Sequence, residues 1–224
     1  MTYYQEYFAF QGSKPVKAIV RNYGERDFGG LIEVQKEAFP LPFPQELLWN
    51  KEQLLQHVKL FPQGALCVEI NGEIAGSMTA LIVQYKPGDS HSWEEITDNG
   101  SIGNHNPDGN TLYVVDICVK PAFRKLGLAK KMMQSMYETV VHFNLDRLLG
   151  GGRMPGYHVF SAAMTPEEYL EKVAAGEIND PVITFLMRAG RVPAGVMRDY
   201  LDDEESKNCA ALMEWKNPFK AATT

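Results

Sequence analysis

The stretch that most constrains this chain runs from Val115 to Lys130. Val115-Asp116-Ile117-Cys118-Val119 reads as an apolar strand, Lys120-Pro121 as a break, and Arg124-Lys125-Leu126-Gly127-Leu128-Ala129-Lys130 as a basic loop that opens a helix. A strand delivering such a loop to a helix N-terminus is suited to holding phosphate. The free N–H groups of the first helical turn carry partial positive charge, Arg124 and Lys125 add full charges, and Gly127 keeps a side chain out of the ligand's path. Two competing nucleotide signatures are absent: the chain contains neither Gly-x-x-x-x-Gly-Lys-Ser/Thr nor Gly-x-Gly-x-x-Gly. An ordinary strand-turn-helix connection with a solvated Arg-Lys pair remains the plain alternative.

The helix itself is well marked. Ala129, Met132, Met133, Met136, Tyr137, Val140 and Phe143 recur at three- and four-residue spacing, with Lys130, Lys131, Gln134, Ser135 and Glu138 between them. The methionine stripe reads as core packing rather than a binding surface.

On these residues the segment from Val115 to Lys130 resembles the acetyl-CoA-binding motif of the GNAT N-acetyltransferases. The resemblance implies that Arg124, Lys125, Leu126, Gly127, Leu128, Ala129 and Lys130 grip the CoA pyrophosphate, mostly through backbone N–H groups. It implies that Ile117, Cys118 and Val119 line the pantetheine arm, with a backbone N–H near Cys118 offered to the thioester oxygen. A second match lies downstream. Many family members carry an Asn eleven residues before a helix-ending Gly, and Asn179 and Gly190 have that spacing here. The family's Tyr, seven residues after the Asn, is replaced by Leu186. That Tyr commonly protonates the departing thiolate, so the usual acid is missing. The Gly-Gly-Arg-x-Pro-Gly-Tyr string at 151–157, Asp180-Pro181 and Trp215-Lys216-Asn217 resemble a GNAT subgroup often found beside carbon–nitrogen hydrolase domains.

Composition sets bounds on this reading. The chain has 224 residues, 45% of them hydrophobic and 22% charged, enough for one substantial core. A net charge of −6 argues against nucleic-acid binding, yet one local basic loop suffices for an anionic co-substrate. Cys67, Cys118 and Cys209 are far apart with no metal-ligand spacing, which predicts buried free thiols, a cytoplasmic setting and no metal. The aromatic N-terminus has neither a basic region nor a long apolar run, so no signal peptide or membrane helix is predicted.

Along the chain, residues 1–14 read as an aromatic arm free to pack on the body or on a second copy in a homodimer. Residues 15–224 read as a single domain with inserted loops at 84–110 and 150–178. Strands are predicted at 16–22, 65–70, 73–83, 111–119 and 147–149, with a final hairpin at 192–201 and 208–215. Asn71-Gly72 marks a tight hairpin. Helices are predicted at 25–39, 45–60, after Gly127, at 166–174 and at 179–189. This order suits an α/β chain of the α+β type, with a mixed, mostly antiparallel central sheet flanked by helices, and it matches the GNAT order.

The resemblance implies an acetyl-CoA-dependent N-acetyltransferase, acting on a small amine by direct transfer in a ternary complex. A non-catalytic acyl-CoA-binding or sensory module is the alternative that Leu186 motivates, and peptide or protein acetylation is a third. Acyl transfer needs a neutral amine, an oxyanion donor and a route for the thiolate's proton. The candidates are the Cys118 backbone N–H as oxyanion donor and Asp116, Tyr113 and Tyr157 for proton transfer. Asp116 stands in an otherwise apolar run, where a structural hydrogen bond is the competing explanation. Arg153, Tyr157, His105 and Trp93 are candidates for the acceptor site. Arg153 is suited to clamping a carboxylate, and an ion pair is its plain alternative.

Overall fold

The computed structural model describes residues 2–220. Its strands are β1 (Tyr4–Gln11), β2 (Lys14–Asn22), β3 (Ala65–Ile70), β4 (Glu73–Val83), β5 (Thr111–Val119), β6 (Arg147–Arg153), β7 (Val192–Met197) and β8 (Ala210–Lys216). They form one mixed, mostly antiparallel sheet in the order β1-β2-β3-β4-β5-β6-β8-β7. Every neighbouring pair is antiparallel except β5 and β6. The helices are α1 (Phe28–Ala38), α2 (Lys51–Leu60), α3 (Trp93–Thr97), α4 (Leu128–His142), α5 (Pro166–Ala174) and α6 (Ile183–Arg188). Helix α1 packs on β4 and β5, while α4 lies across β3 to β6.

The local signals explain most of these elements. Asn71 and Gly72 both take positive φ, 51° and 84°, as a type I′ hairpin turn requires. Asn50 caps α2 by accepting from the Gln53 N–H, and Gln53 returns the bond to the Asn50 N–H. The methionines of α4 are core: Met132, Met133 and Met136 have no exposed surface. Cys67, Cys118 and Cys209 are free and buried.

Several boundaries differ from expectation. Residues 4–11 are an edge strand paired with β2 along its length, not a separate arm; alternation of Tyr3, Ala9 and their neighbours between core and solvent pins them to the sheet. The Gly150-Gly151-Gly152 run, expected in an inserted loop, continues β6 to Arg153. The polar stretch at 84–110 is ordered around α3. Met1 and residues 221–224, the outer ends of the arm and domain assignments, lie outside the described residues.

Candidate active site

The site begins where the sheet comes apart. Strand β5 pairs with β6 only through Thr111↔Arg147, Leu112↔Leu148 and Tyr113↔Leu149. Both strands continue beyond that point without pairing to each other, so alternate backbone N–H and C=O groups are left facing the gap. A bulge lies beside the parting: β4 sets Thr79 opposite Asp116 and Ala80 opposite Val114, leaving Val115 as an extra residue. A bulge bends its strand and re-aims the side chains after it. The unpaired Val115 carbonyl accepts the Trp93 indole N–H at 3.1 Å. On the opposite wall, a Cβ added at Gly151 would run into the Tyr200 ring. The glycine lets that ring lie directly on β6.

The gap opens into a cleft of about 1010 Å³. Phe39, Phe43, Leu48 and Leu186 contribute apolar wall, and Asp116, Ile117, Cys118 and Val119 supply one edge. Arg124, Lys125, Gly127, Leu128, Ala129 and Lys130 line the same cleft. Gly127 is the N-cap of α4 in the left-handed conformation, and a Cβ there would meet nothing within 4 Å. Arg124, Lys125 and Lys130 are exposed and have no carboxylate partner among the described residues. Three uncompensated cations beside a free helix N-terminus fit a pyrophosphate. Leu126 does not line the cleft; its side chain packs against the core.

Asp116 is half-buried on the cleft wall. Gln35 Nε2 donates to its Oδ2 at 3.0 Å, while Gln35 Oε1 accepts the Trp49 backbone N–H at 2.7 Å, which fixes the orientation of the amide. Burial pushes the Asp116 carboxyl up to about 6, against the opposing pull of the Gln35 hydrogen bond. The Cys118 thiol sits 3.4 Å from Ser77 Oγ, and burial holds its pKa well above the usual thiol range. It is a small strand side chain, and inert as a nucleophile at neutral pH.

The other sequence candidates divide sharply. Trp93 lines the cleft as expected. Arg153 also reaches it, but its Nε and Nη2 donate to both oxygens of Asp203 at 2.7 and 2.6 Å, and Nη2 also to Glu205 at 3.0 Å. The clamp proposed for a substrate is closed on the protein's own carboxylates. Tyr157 points away from the cleft, donating its hydroxyl to the Met164 carbonyl at 3.1 Å. His105 is stacked on Phe61 and held by the Ile82 backbone N–H. Tyr113 is fully buried, its hydroxyl between His91 and Tyr200 at 2.9 Å each. Asn179 is exposed before α6 and does not line the cleft; the next residue, Asp180, caps that helix by accepting from Val182 and Ile183 N–H.

Three cleft residues were missed: Gln35, Tyr200 and Arg191. Gln35 carried a signal, a polar residue on the apolar face of its helix. Tyr200 stands near the end of a predicted strand and Arg191 in the short link between a predicted helix and that strand, where a local pattern says nothing about which way a side chain turns.

A parallel pair of strands that diverges over a cleft, with a cationic helix N-terminus at its mouth, is the architecture expected of the GNAT fold. Residues 28–152, more than half of the chain, match the acetyltransferase (GNAT) family, and the chain belongs to that family of N-acetyltransferases. It is 53% identical over 216 residues to the "uncharacterized N-acetyltransferase YkwB" of Bacillus subtilis (strain 168), covering 96% of each chain. It is 37% identical over 203 residues to the "probable hydrolase YhcX" of the same organism, covering 90% of this chain and only 39% of that relative. That partial coverage accords with the expected subgroup, in which a GNAT module accompanies a hydrolase domain. Among solved structures, the GphF GNAT-like decarboxylase in complex with isobutyryl-CoA superposes with a TM-score of 0.76 at 19% identity, over 88% of this chain and 98% of that one. At that identity the likeness shows the fold alone. Among the described residues no helix is long and apolar enough to cross a membrane.

Proposed function

We propose that the chain is an acetyl-CoA-dependent N-acetyltransferase that acts on a small amine by direct transfer in a ternary complex. One observation carries the reading: a single cleft joins the cationic loop at 124–130 to Asp116, so donor and acceptor fit at once. Ordered walls from Trp93, Tyr200 and the Arg153–Asp203 pair enclose the acceptor end, which favours a small molecule over a peptide.

Each role then falls to a particular group. The loop holds the CoA pyrophosphate. The Cys118 N–H, expected as the donor, is turned to β4: Lys120 N–H donates to the Ala75 carbonyl, and Cys118 stands two residues back in the same register, opposite Ser77. The N–H groups of its neighbours Ile117 and Val119 face the gap instead and donate to the thioester oxygen as negative charge grows there, a contribution typically worth about 3 kcal/mol of barrier. Asp116 takes the proton of the attacking amine; a carboxyl raised to about 6 is still ionised at neutral pH and is a better base than an ordinary one. Thiols are far more acidic than alcohols or amines, an ordinary cysteine thiol having a pKa of about 8.5, so a thiolate can depart without an acid and Leu186 in the usual Tyr position is compatible with turnover. The inert Cys118 thiol speaks against a covalent acetyl-enzyme.

The test is to mix acetyl-CoA with a panel of small amines and follow free thiol. Acetyl-CoA at saturation must also raise Tm, because a ligand selective for the folded state stabilises it. No rise in Tm refutes the reading. A rise without thiol release across the panel favours the non-catalytic module that Leu186 motivates.

A further inference from the structure

Arg191 is the most deeply buried arginine of the chain, at 3% exposure, and it lies between the end of α6 and the start of β7. Its guanidinium reaches beneath the point where β5 and β6 part. Nη2 donates to the Gly150 carbonyl at 3.2 Å and to the Met213 carbonyl. Nε is buried with no hydrogen-bond partner among the described residues. The backbone is anchored by its own N–H to the Leu186 carbonyl at 3.1 Å. Its ionisable neighbours are tyrosines, Tyr113, Tyr137 and Tyr200, and burial pushes its pKa down to about 10. It remains a cation at neutral pH.

That environment is anomalous within this molecule. The half-buried arginines all have carboxylates: Arg21 has Asp27 and Glu69, Arg147 has Glu214, and Arg153 has Asp203 and Glu205. Arg191, buried more deeply than any of them, has none among the described residues. Burying a guanidinium without a counter-charge costs several kcal/mol, and two neutral carbonyls offset only part of that. Arg191 also lines the cleft, where Asp116, the acidic group on the β5 edge, is engaged by Gln35 instead. The fold supplies the cation and leaves its anion to be brought in.

We propose that Arg191 is the counter-charge for a carboxylate that the substrate carries to the floor of the cleft. The proposal rests on the reading of the cleft as an acyl-transfer site and narrows its substrates to acidic ones. The carboxylate belongs either to the acyl group, as in a malonyl or succinyl thioester, or to the acceptor, as in an amino acid. Arg191 also closes off the Gly150 carbonyl that β5 no longer reaches, so a purely structural role is the rival explanation.

Titration calorimetry on the full chain separates the two explanations. In the acyl arm, malonyl-CoA and succinyl-CoA are compared with propionyl-CoA and butyryl-CoA. In the acceptor arm, amino acids are compared with their amides in the presence of CoA. One arm is expected to show the acidic ligand binding at least about tenfold more tightly, the usual scale of a charge-assisted hydrogen bond. In Arg191→Gln, which keeps donors for the two carbonyls, that gap closes while Tm changes little. Equal binding of acidic and neutral ligands by the wild-type chain in both arms overturns the proposal, whether or not the variant folds. A gap that survives in Arg191→Gln overturns it too. Acetyl-CoA binding with no charge preference sinks this proposal alone. Failure of acetyl-CoA to bind sinks the reading of the cleft and the proposal with it.

Discussion

Two of the arginines that line the cleft, Arg153 and Arg191, are withdrawn from solvent, and they differ in every respect that matters for a ligand. Arg153 stands near the rim with a fork-to-fork bond to Asp203 and a second carboxylate at Glu205, and it stacks 5.0 Å from the Phe43 ring centre. Arg191 lies at the floor with two carbonyls and an unpaired Nε. The first charge is spent on holding the 203–206 turn to the end of β6. The second is left without its anion. Position in a cleft therefore does not make an arginine a substrate clamp; what decides is whether the fold has already neutralised it. Asp116 belongs with Arg191 on this measure, since its one side-chain partner is the neutral amide of Gln35.

The largest expected effect breaks the uncompensated side of the comparison. Asp116→Asn should lower kcat/KM by about 10²–10⁴-fold, the range for losing a general base. The same change should leave the chain as stable or make it more so at pH 7.5, by about 1–3 kcal/mol, because burial of the carboxylate is a cost there. Steady-state rates and urea melts on one preparation check both halves. Equal loss of activity and stability would assign Asp116 a structural role.

Asp203→Ala attacks the compensated side. It removes the buried, bidentate partner of Arg153 and leaves only Glu205, and should cost about 1–3 kcal/mol, whereas Glu205→Ala, which removes the more exposed partner, should cost under about 1 kcal/mol. Denaturant midpoints distinguish them. Gly151→Ala should cost about 1–3 kcal/mol by forcing the Tyr200 ring off β6. It should also raise KM for the acceptor more than for acetyl-CoA.

The pH dependence has opposite signs for rate and stability. Asp116 must be ionised to act, so kcat/KM should fall as pH drops through about 6. Its folded pKa is raised from 3.8, so its contribution to stability is full below about 3.8 and is lost as pH rises through about 6. A rate profile flat to pH 5 excludes Asp116 as the base. The smallest effect is expected at the mouth: Lys125→Ala should weaken acetyl-CoA binding by about three- to tenfold with kcat nearly unchanged, because one exposed cation among three contributes modestly.

The fold was legible because its signals are local. The Asn71-Gly72 turn, the spacing of methionines on α4 and the Pro-broken strand before Arg124 each act over a few residues, and each appears where expected. The basic loop was legible for the same reason, since its cations and its helix N-terminus are contiguous. The acceptor side was not. Tyr157 and His105 carry the right chemistry, but their hydrogen bonds turn them to Met164 and Ile82. Tyr200 gave no local sign that it would lie against Gly151.

What the amino-acid sequence determined by itself is the scaffold and the donor loop, because helix periodicity, turn chemistry and capping are properties of neighbours along the chain. What only the tertiary structure decided is the balance of charge in the cleft. Arg153 meets Asp203 across fifty residues, and Arg191 meets no carboxylate at all among the described residues, although each directly follows a glycine in the chain. Pairing depends on which distant groups the sheet brings within about 3 Å, and on how far each is withdrawn from water.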